Sequence, residues 1–248
     1  MFESAAMYEM EIPTPAEQLS AATLELLRRN DLVDTYIRPI AYFDAYSLSV
    51  WPRGCPVSVA ISRDAAQGGY LGAGASEGVR VCISSVRRFD ASAIPTTGKA
   101  CGQYLNSVRA RCRTRCAAAS TRRFFLNQRG EVAEGSGENL FLVKDGGLTT
   151  NDEEAGVLMG ITRASVIELA GTLGIPVRVA PITVDDMRGA DELFFTGTAV
   201  EVTPIKELDG DPVAGGLRGP VTTRLQQAFL DIVKGRDPRY RHWLAYVT

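Results

Sequence analysis

From Thr14 onward the apolar positions recur at helical spacing. Thr14, Pro15 and Glu17 offer a cap, a proline for the first helical position and a capping-box carboxylate, while Leu19, Ala22, Thr23, Leu26 and Leu27 share one face, which predicts a helix ending at Asn30. The period then shortens. Residues 35–42 and 57–61 are strand-like, and Pro39 places the first at an edge or bulge because it has no N–H to give to a ladder. Residues 67–74 are the most glycine-dense stretch and read as a linker, dividing a small α+β unit, residues 1–70, from a larger one, residues 71–248. Beyond it, Val79, Val81 and Ile83 alternate as in a half-buried strand, a helix is predicted over 102–116, and strands over 123–127 and 139–143. Asp145-Gly146 is a tight-turn signal leading into a strand over 148–150. A helix over 161–173 is stopped by Gly174, strands follow at 177–180, 192–196 and 200–208, and a last helix enters at Gly219-Pro220 and leaves at Gly235. Many short strands with few βαβ spacings predict an α+β fold rather than a doubly wound sheet.

Composition narrows the function classes. With 248 residues, 45% hydrophobic and 23% charged, the chain is an ordinary globular one, and a formal charge of −2 favours neither nucleic acid nor membrane. Arg109, Arg111, Arg113 and Arg115 on one helix read as a solvated face, since no aromatic residues interleave them. Cys55, Cys82, Cys101, Cys112 and Cys116 are irregularly spaced and fit free thiols in a reducing compartment. His242 is the only histidine, which argues against Ser-His or Cys-His catalysis and His-ligated metal. The start lacks a basic segment followed by an apolar one, so a cytoplasmic location is expected.

Against this background one lysine draws notice. Lysine occurs only at 99, 144, 206 and 234 while arginine is used freely, and Lys99 sits in a turn flanked by Pro95, Thr96, Thr97 and Gly98. A lysine amine held in a partly desolvated pocket can lose its proton and attack an aldehyde, which arginine cannot do. Some thirty residues later, Glu131, Glu134 and Glu138 offer partner carboxylates. Gly160 ahead of a helix leaves the N–H groups of Ile161 and Thr162 free to meet an anion.

The segments KACGQYLNSV, EVAEGSGENLFLVKDG, GITRASVIELAGTLGIPV, ADELFFTGTAVEVTPI and GPVTTRLQQAF, in this order and spacing, resemble the branched-chain aminotransferases. These belong to the fold type IV pyridoxal-phosphate enzymes, with D-amino-acid transaminases and aminodeoxychorismate lyases as cousins. The resemblance implies a two-domain α+β enzyme using pyridoxal 5'-phosphate to move an amino group between a branched-chain or related amino acid and a 2-oxo acid such as 2-oxoglutarate. It implies that Lys99 carries the internal aldimine and transfers the proton, that Glu134 faces the pyridine nitrogen, that Tyr104 bonds the cofactor's ring oxygen and that Leu158 packs on the ring. Ile161, Thr162 and Thr198 would hold the phosphate, the Ala199 amide the substrate carboxylate. Tyr36 and Arg38 would orient that carboxylate and Tyr70 border the side-chain pocket. Glu138 is implied to be no part of the chemistry. A homodimer is implied as well, with small-molecule partners and neither nucleic acid nor membrane.

The chain departs from the family pattern in places. Members carry a further stretch ahead of the point where Met1-Phe2 aligns, with the first strands of the small domain and an arginine that clamps the phosphate, so residues 1–70 are expected to form a remnant of that domain. Gln67 stands where a tryptophan is usual, and Met159 replaces a proline before Gly160. Two alternatives therefore stand beside the transaminase: a lyase or D-amino-acid transaminase of the same fold, and a truncated, weakly active or non-catalytic relative.

Overall fold

The computed structural model describes residues 1–31, 35–44, 47–64, 77–113 and 122–247. The chain divides into two compact units, Met1–Tyr70 with Ala245–Thr248, and Leu71–Leu244. In the first unit, helices α1 (Phe2–Ala6) and α2 (Ala16–Arg29) precede strands β1 (Tyr36–Phe43) and β2 (Val57–Asp64). These strands pair antiparallel from Tyr36 opposite Asp64 to Phe43 opposite Val57, so Pro39 lies in a two-stranded ribbon where every strand is an edge. The capping expected of Thr14 is not observed. Pro15 is itself the cap residue, extended at ψ 152°, and no side chain caps the helix. Asn30 ends it as anticipated.

The second unit is built on a nine-stranded mixed sheet. Its strands are β3 (Val79–Ile83), β4 (Arg122–Leu126), β5 (Val132–Gly135), β6 (Asn139–Lys144), β7 (Gly147–Thr150), β8 (Val177–Val179), β9 (Glu192–Gly197), β10 (Glu201–Leu208) and β11 (Asp211–Pro212). They run in the order β5-β4-β3-β10-β9-β6-β7-β8, with β11 beside β10. Among the described residues four helices accompany them: α3 (Tyr104–Arg113), α4 (Ile161–Thr172), α5 (Val184–Arg188) and α6 (Pro220–Val233). The central strand β6 explains the layering, since all of Asn139 to Val143 are buried. Phe141 and Val143 pack with Phe194, Val166, Leu169, Leu225 and Phe229 beneath α4 and α6. Leu140 and Leu142 face the other way, with Val81, Phe124, Leu193, Phe195 and Met187. A strand covered on both faces needs a continuous apolar run, which is what the sequence shows there.

Two polar devices lock this frame. Asp145 and Gly146, at φ 49° and 76°, form the tight turn between β6 and β7. The buried carboxylate of Glu192 accepts from the N–H groups of Val221 at 2.9 Å and Thr222 at 2.8 Å, capping α6. Gly219 must be glycine, because a Cβ there would overlap that carboxylate. Helix α5 was not foreseen, although Thr183 and Asp186 form a reciprocal capping box at its start. Strand β5 was likewise unforeseen. Cys55, Cys101 and Cys112 are free thiols, but Cys82 is disulfide-bonded, which corrects the expectation of free thiols throughout. Irregular spacing along a chain says little about distance in the fold. Among the described residues no helix is long and apolar enough to cross a membrane.

Candidate active site

The segment before α3 turns sharply. Gly98 N–H donates to Pro95 O at 3.1 Å and Ala100 N–H to Gly98 O at 3.0 Å, which presents Lys99 outward. Tyr104, 42% exposed, begins α3, and its hydroxyl lies 3.2 Å from Lys99 Nζ. Helix α3 is itself anchored: Ser107 Oγ donates to Ser136 O at 2.6 Å, and Asn106 Nδ2 to Arg87 O at 3.0 Å.

Glu134 lies in β5, buried. One carboxylate oxygen is 2.8 Å from Arg88 Nη2, and the other accepts from Leu158 N–H at 2.9 Å. Burial nevertheless lifts this carboxyl to about 7, against the pull of Arg88, the Leu158 N–H and the charge of Lys99. Four residues on, Glu138 is buried beside Arg122 at 3.0 Å, accepts from Gly137 N–H at 2.9 Å, and is also raised by burial. It fills the turn joining β5 to β6. A Cβ on Gly135 would come within 2.6 Å of its Oε2 and 2.8 Å of Phe195 Cε1, so only glycine fits there.

The same end of the sheet gathers the remaining residues. Asn139 pairs with Thr196 across β6 and β9, so the 136–138 turn lies beside the one after Gly197, which carries Thr198 and Ala199. A Cβ on Gly197 would meet Gly137 O at 3.5 Å, and one on Gly137 would lie 3.8 Å from Tyr104 Cε1, which puts these backbones within touching distance. Asn139 Nδ2 donates to Leu158 O at 2.6 Å, and its Oδ1 occupies the space a Cβ on Gly160 would need. Next along, α4 starts with no side-chain cap and no acidic residue in its first turn, with Ile161 exposed and Thr162 buried.

Residues 1–208 match the model of the family described as amino-transferase class IV. The chain belongs to that family. The branched-chain-amino-acid aminotransferase of Pseudomonas aeruginosa is 38% identical over 248 residues, covering all of this chain and 80% of the relative. The probable branched-chain-amino-acid aminotransferase of Aquifex aeolicus is 39% identical over 241 residues, 96% of this chain and 76% of that one. Among solved structures, the branched-chain aminotransferase of Thermoproteus uzoniensis with norvaline superposes with a TM-score of 0.93 at 42% identity, covering all of this chain and 81% of that one. The branched-chain amino acid aminotransferase of Thermobaculum terrenum, in its PLP-form, gives 0.87 at 31% identity, covering 99% of this chain and 80% of that one.

In this class IV aminotransferase chain, one unit therefore assembles Lys99, Tyr104, Glu134, Leu158, Ile161, Thr162, Thr198 and Ala199 from the segment before α3, β5, the approach to α4 and the turn after β9. Tyr36 and Arg38 lie on β1 of the other unit, with the Arg38 guanidinium 5.2 Å from the centre of the Tyr36 ring. Tyr70, Gln67, Cys116 and the glycine-rich stretch 67–74 lie outside the described residues. Three polar residues that the sequence did not single out hold this arrangement: Arg88, Gln103 and Asn139. Gln103 and Asn139 carried a signal, as parts of the KACGQYLNSV and EVAEGSGENLFLVKDG words, and Arg88 carried none.

Proposed function

We propose that the chain is a pyridoxal-phosphate-dependent transaminase that moves an amino group between a branched-chain or related amino acid and a 2-oxo acid such as 2-oxoglutarate. The observation that carries the reading is the Lys99 amine 3.2 Å from the Tyr104 hydroxyl, close enough for its charge to act on the buried Glu134. Support also comes from the relatives, which are branched-chain aminotransferases and include the Thermobaculum terrenum structure in its PLP-form. Nothing comparable favours the lyase, the D-amino-acid transaminase or the non-catalytic alternative.

The residues present suit the cofactor. An uncapped helix start free of acidic residues offers N–H donors to a phosphate, Gly160 keeps the approach clear of a side chain, and Glu134 lacks enough positive charge to offset its burial. When bound, pyridoxal phosphate supplies an aldehyde for amine exchange and an electron-accepting ring. Lys99 Nζ would be the covalent anchor for that aldehyde and, as a free amine, the base that moves a proton. The Tyr104 hydroxyl orients that amine and offers it a hydrogen bond. Glu134 would present its carboxylate to the ring nitrogen, and Leu158 would pack on the ring. Ile161, Thr162 and Thr198 are assigned to the phosphate, and the Ala199 amide to the substrate carboxylate. Tyr36, Arg38 and Tyr70 are assigned to substrate on the family resemblance alone. A homodimer in the cytoplasm completes the reading.

The test is direct. Purified protein reconstituted with pyridoxal phosphate should show a visible absorption band that shifts when leucine or glutamate is added and is absent in Lys99→Ala. A reconstituted wild type with no such band would overturn the reading.

A further inference from the structure

Behind the Lys99–Tyr104 pair lies a buried polar chain. Arg88, 4% exposed, directs one nitrogen, Nη2, at two acceptors: Glu134 Oε1 at 2.8 Å and Gln103 Oε1 at 2.5 Å. Gln103, 7% exposed, uses both hydrogens of Nε2, on Pro95 O at 2.8 Å and Gly98 O at 2.5 Å. Those two carbonyls are the ones that already accept from Gly98 and Ala100 on either side of Lys99. The orientation of the Gln103 amide is fixed by chemistry. A guanidinium only donates and a carbonyl only accepts, so the oxygen must face Arg88 and the nitrogen the turn. The backbone of Arg88 is in turn fastened to β4, its N–H donating to Leu126 O at 2.9 Å.

Resting on the transaminase reading above, we infer that Gln103 is a positioning residue: it ties the turn bearing Lys99 to the Arg88–Glu134 pair and so sets the lysine amine at a fixed place relative to that carboxylate. Gln103 does not reach the reacting atoms. Its role is to keep the Pro95–Ala100 turn closed, so that the flexible lysine side chain starts from a rigid base. The arrangement uses all the donors of one amide and one fork of one guanidinium. A methionine of similar length would fill the volume and make none of these bonds. A glutamate would keep the acceptor for Arg88 and turn an oxygen toward two carbonyl oxygens.

The test compares wild type with Gln103→Met in two measurements. In the cofactor-free protein, hydrogen exchange at the Gly98 and Ala100 amides should quicken about ten-fold once the two bonds are lost, while amides of β6 keep their protection. In the second, the rate at which Lys99 captures pyridoxal phosphate, followed by the visible band, should fall about ten-fold. Affinity for pyridoxine 5'-phosphate, which has no aldehyde and so reports the cradle alone, should stay within about two-fold, since phosphate anchoring does not use Gln103. A parallel loss of both would mean general pocket damage and overturn the inference, as would unchanged exchange at Gly98 and Ala100. Should Gln103→Met not fold, Gln103→Glu removes the same two donors and is read in the same way. A wild type that takes up no cofactor would refute the transaminase reading, and the exchange comparison would still judge Gln103.

Discussion

Replacing Glu134 by glutamine retains the side-chain shape and an acceptor for the Leu158 N–H while removing the charge. In the folded, cofactor-free protein, burial raises this carboxyl from 4.5 to about 7. The group therefore keeps its proton in the native state over a range where the unfolded chain has released it. A folded-state value above the unfolded one gives a stabilising contribution that is complete below about 4.5 and is lost as the pH rises through about 7. At about 1.4 kcal/mol per unit, wild type gives up about 3 kcal/mol across this window through Glu134 alone. Glutamine does not titrate, so the difference in unfolding free energy, Glu134→Gln minus wild type, should be close to zero at the acid end and reach about 3 kcal/mol in favour of the variant at pH 8. Urea unfolding of the cofactor-free proteins at four pH values between 4.5 and 8 measures it. Glu138, raised by burial too, titrates in both proteins, and its charge is one of the causes that raise Glu134. A difference that stays flat with pH, or that favours wild type at pH 8, would show that Arg88 and the Leu158 N–H outweigh the burial and would refute the argument.

Other substitutions test the frame and the cradle. Glu192→Ala leaves the part-buried N–H of Val221 and the buried N–H of Thr222 without acceptors and should cost about 2–4 kcal/mol, read as a lower urea midpoint with unchanged slope. Gly160→Ala pushes a methyl into Asn139 Oδ1 and so loosens the Asn139–Leu158 bond; the dissociation constant for pyridoxal phosphate should rise about ten-fold by absorbance titration, and an unchanged constant would remove this turn from the cradle. Tyr104→Phe deletes the hydroxyl 3.2 Å from Lys99 Nζ and should slow turnover by about ten-fold or more in steady-state assays, with cofactor affinity affected less.

What could be read from the chain was whatever is local or apolar. The 139–143 run reads as a strand, Asp145-Gly146 as a tight turn, and Gly219-Pro220 as a helix start, because each depends on near neighbours. Lys99, Tyr104 and Glu134 stood out through the words around them. Arg88 did not, since its partners Glu134 and Gln103 lie 46 and 15 positions away and an arginine reads as surface until the fold covers it; Gln103 stands in the same word as Lys99, but a glutamine shows no role there until the fold brings Arg88 to it. Helix α5 was missed because its capping box uses Asp186 in place of the usual glutamate or glutamine. Thr14 was over-read for the opposite reason. The Thr-Pro pair has the composition of a cap, but the extended conformation of Pro15 moves the helix start one residue on.

Glu134 and Glu138, buried four residues apart, show why the Arg88–Glu134 pair is better understood as chemistry than as stabilisation. Replacing a buried ion pair with apolar residues is often neutral or favourable, so the presence of one calls for another reason. Glu138 has such a reason in the fold itself: it fills the turn between Gly135 and Asn139, accepts from Gly137 and faces Arg122, and Gly135 gives up a side chain to make room for it. Glu134 fills no comparable gap. It is held by one guanidinium and one N–H, with the Lys99 amine near enough to influence it, and burial still raises it to about 7. A carboxylate held in place yet short of positive charge favours any cation brought beside it, by up to the same margin of about 3 kcal/mol that the empty protein forgoes. Arg88 and Gln103 keep that carboxylate and the Lys99 turn in one hydrogen-bonded unit, so the two groups that the proposed chemistry requires meet an incoming ring as a preset pair.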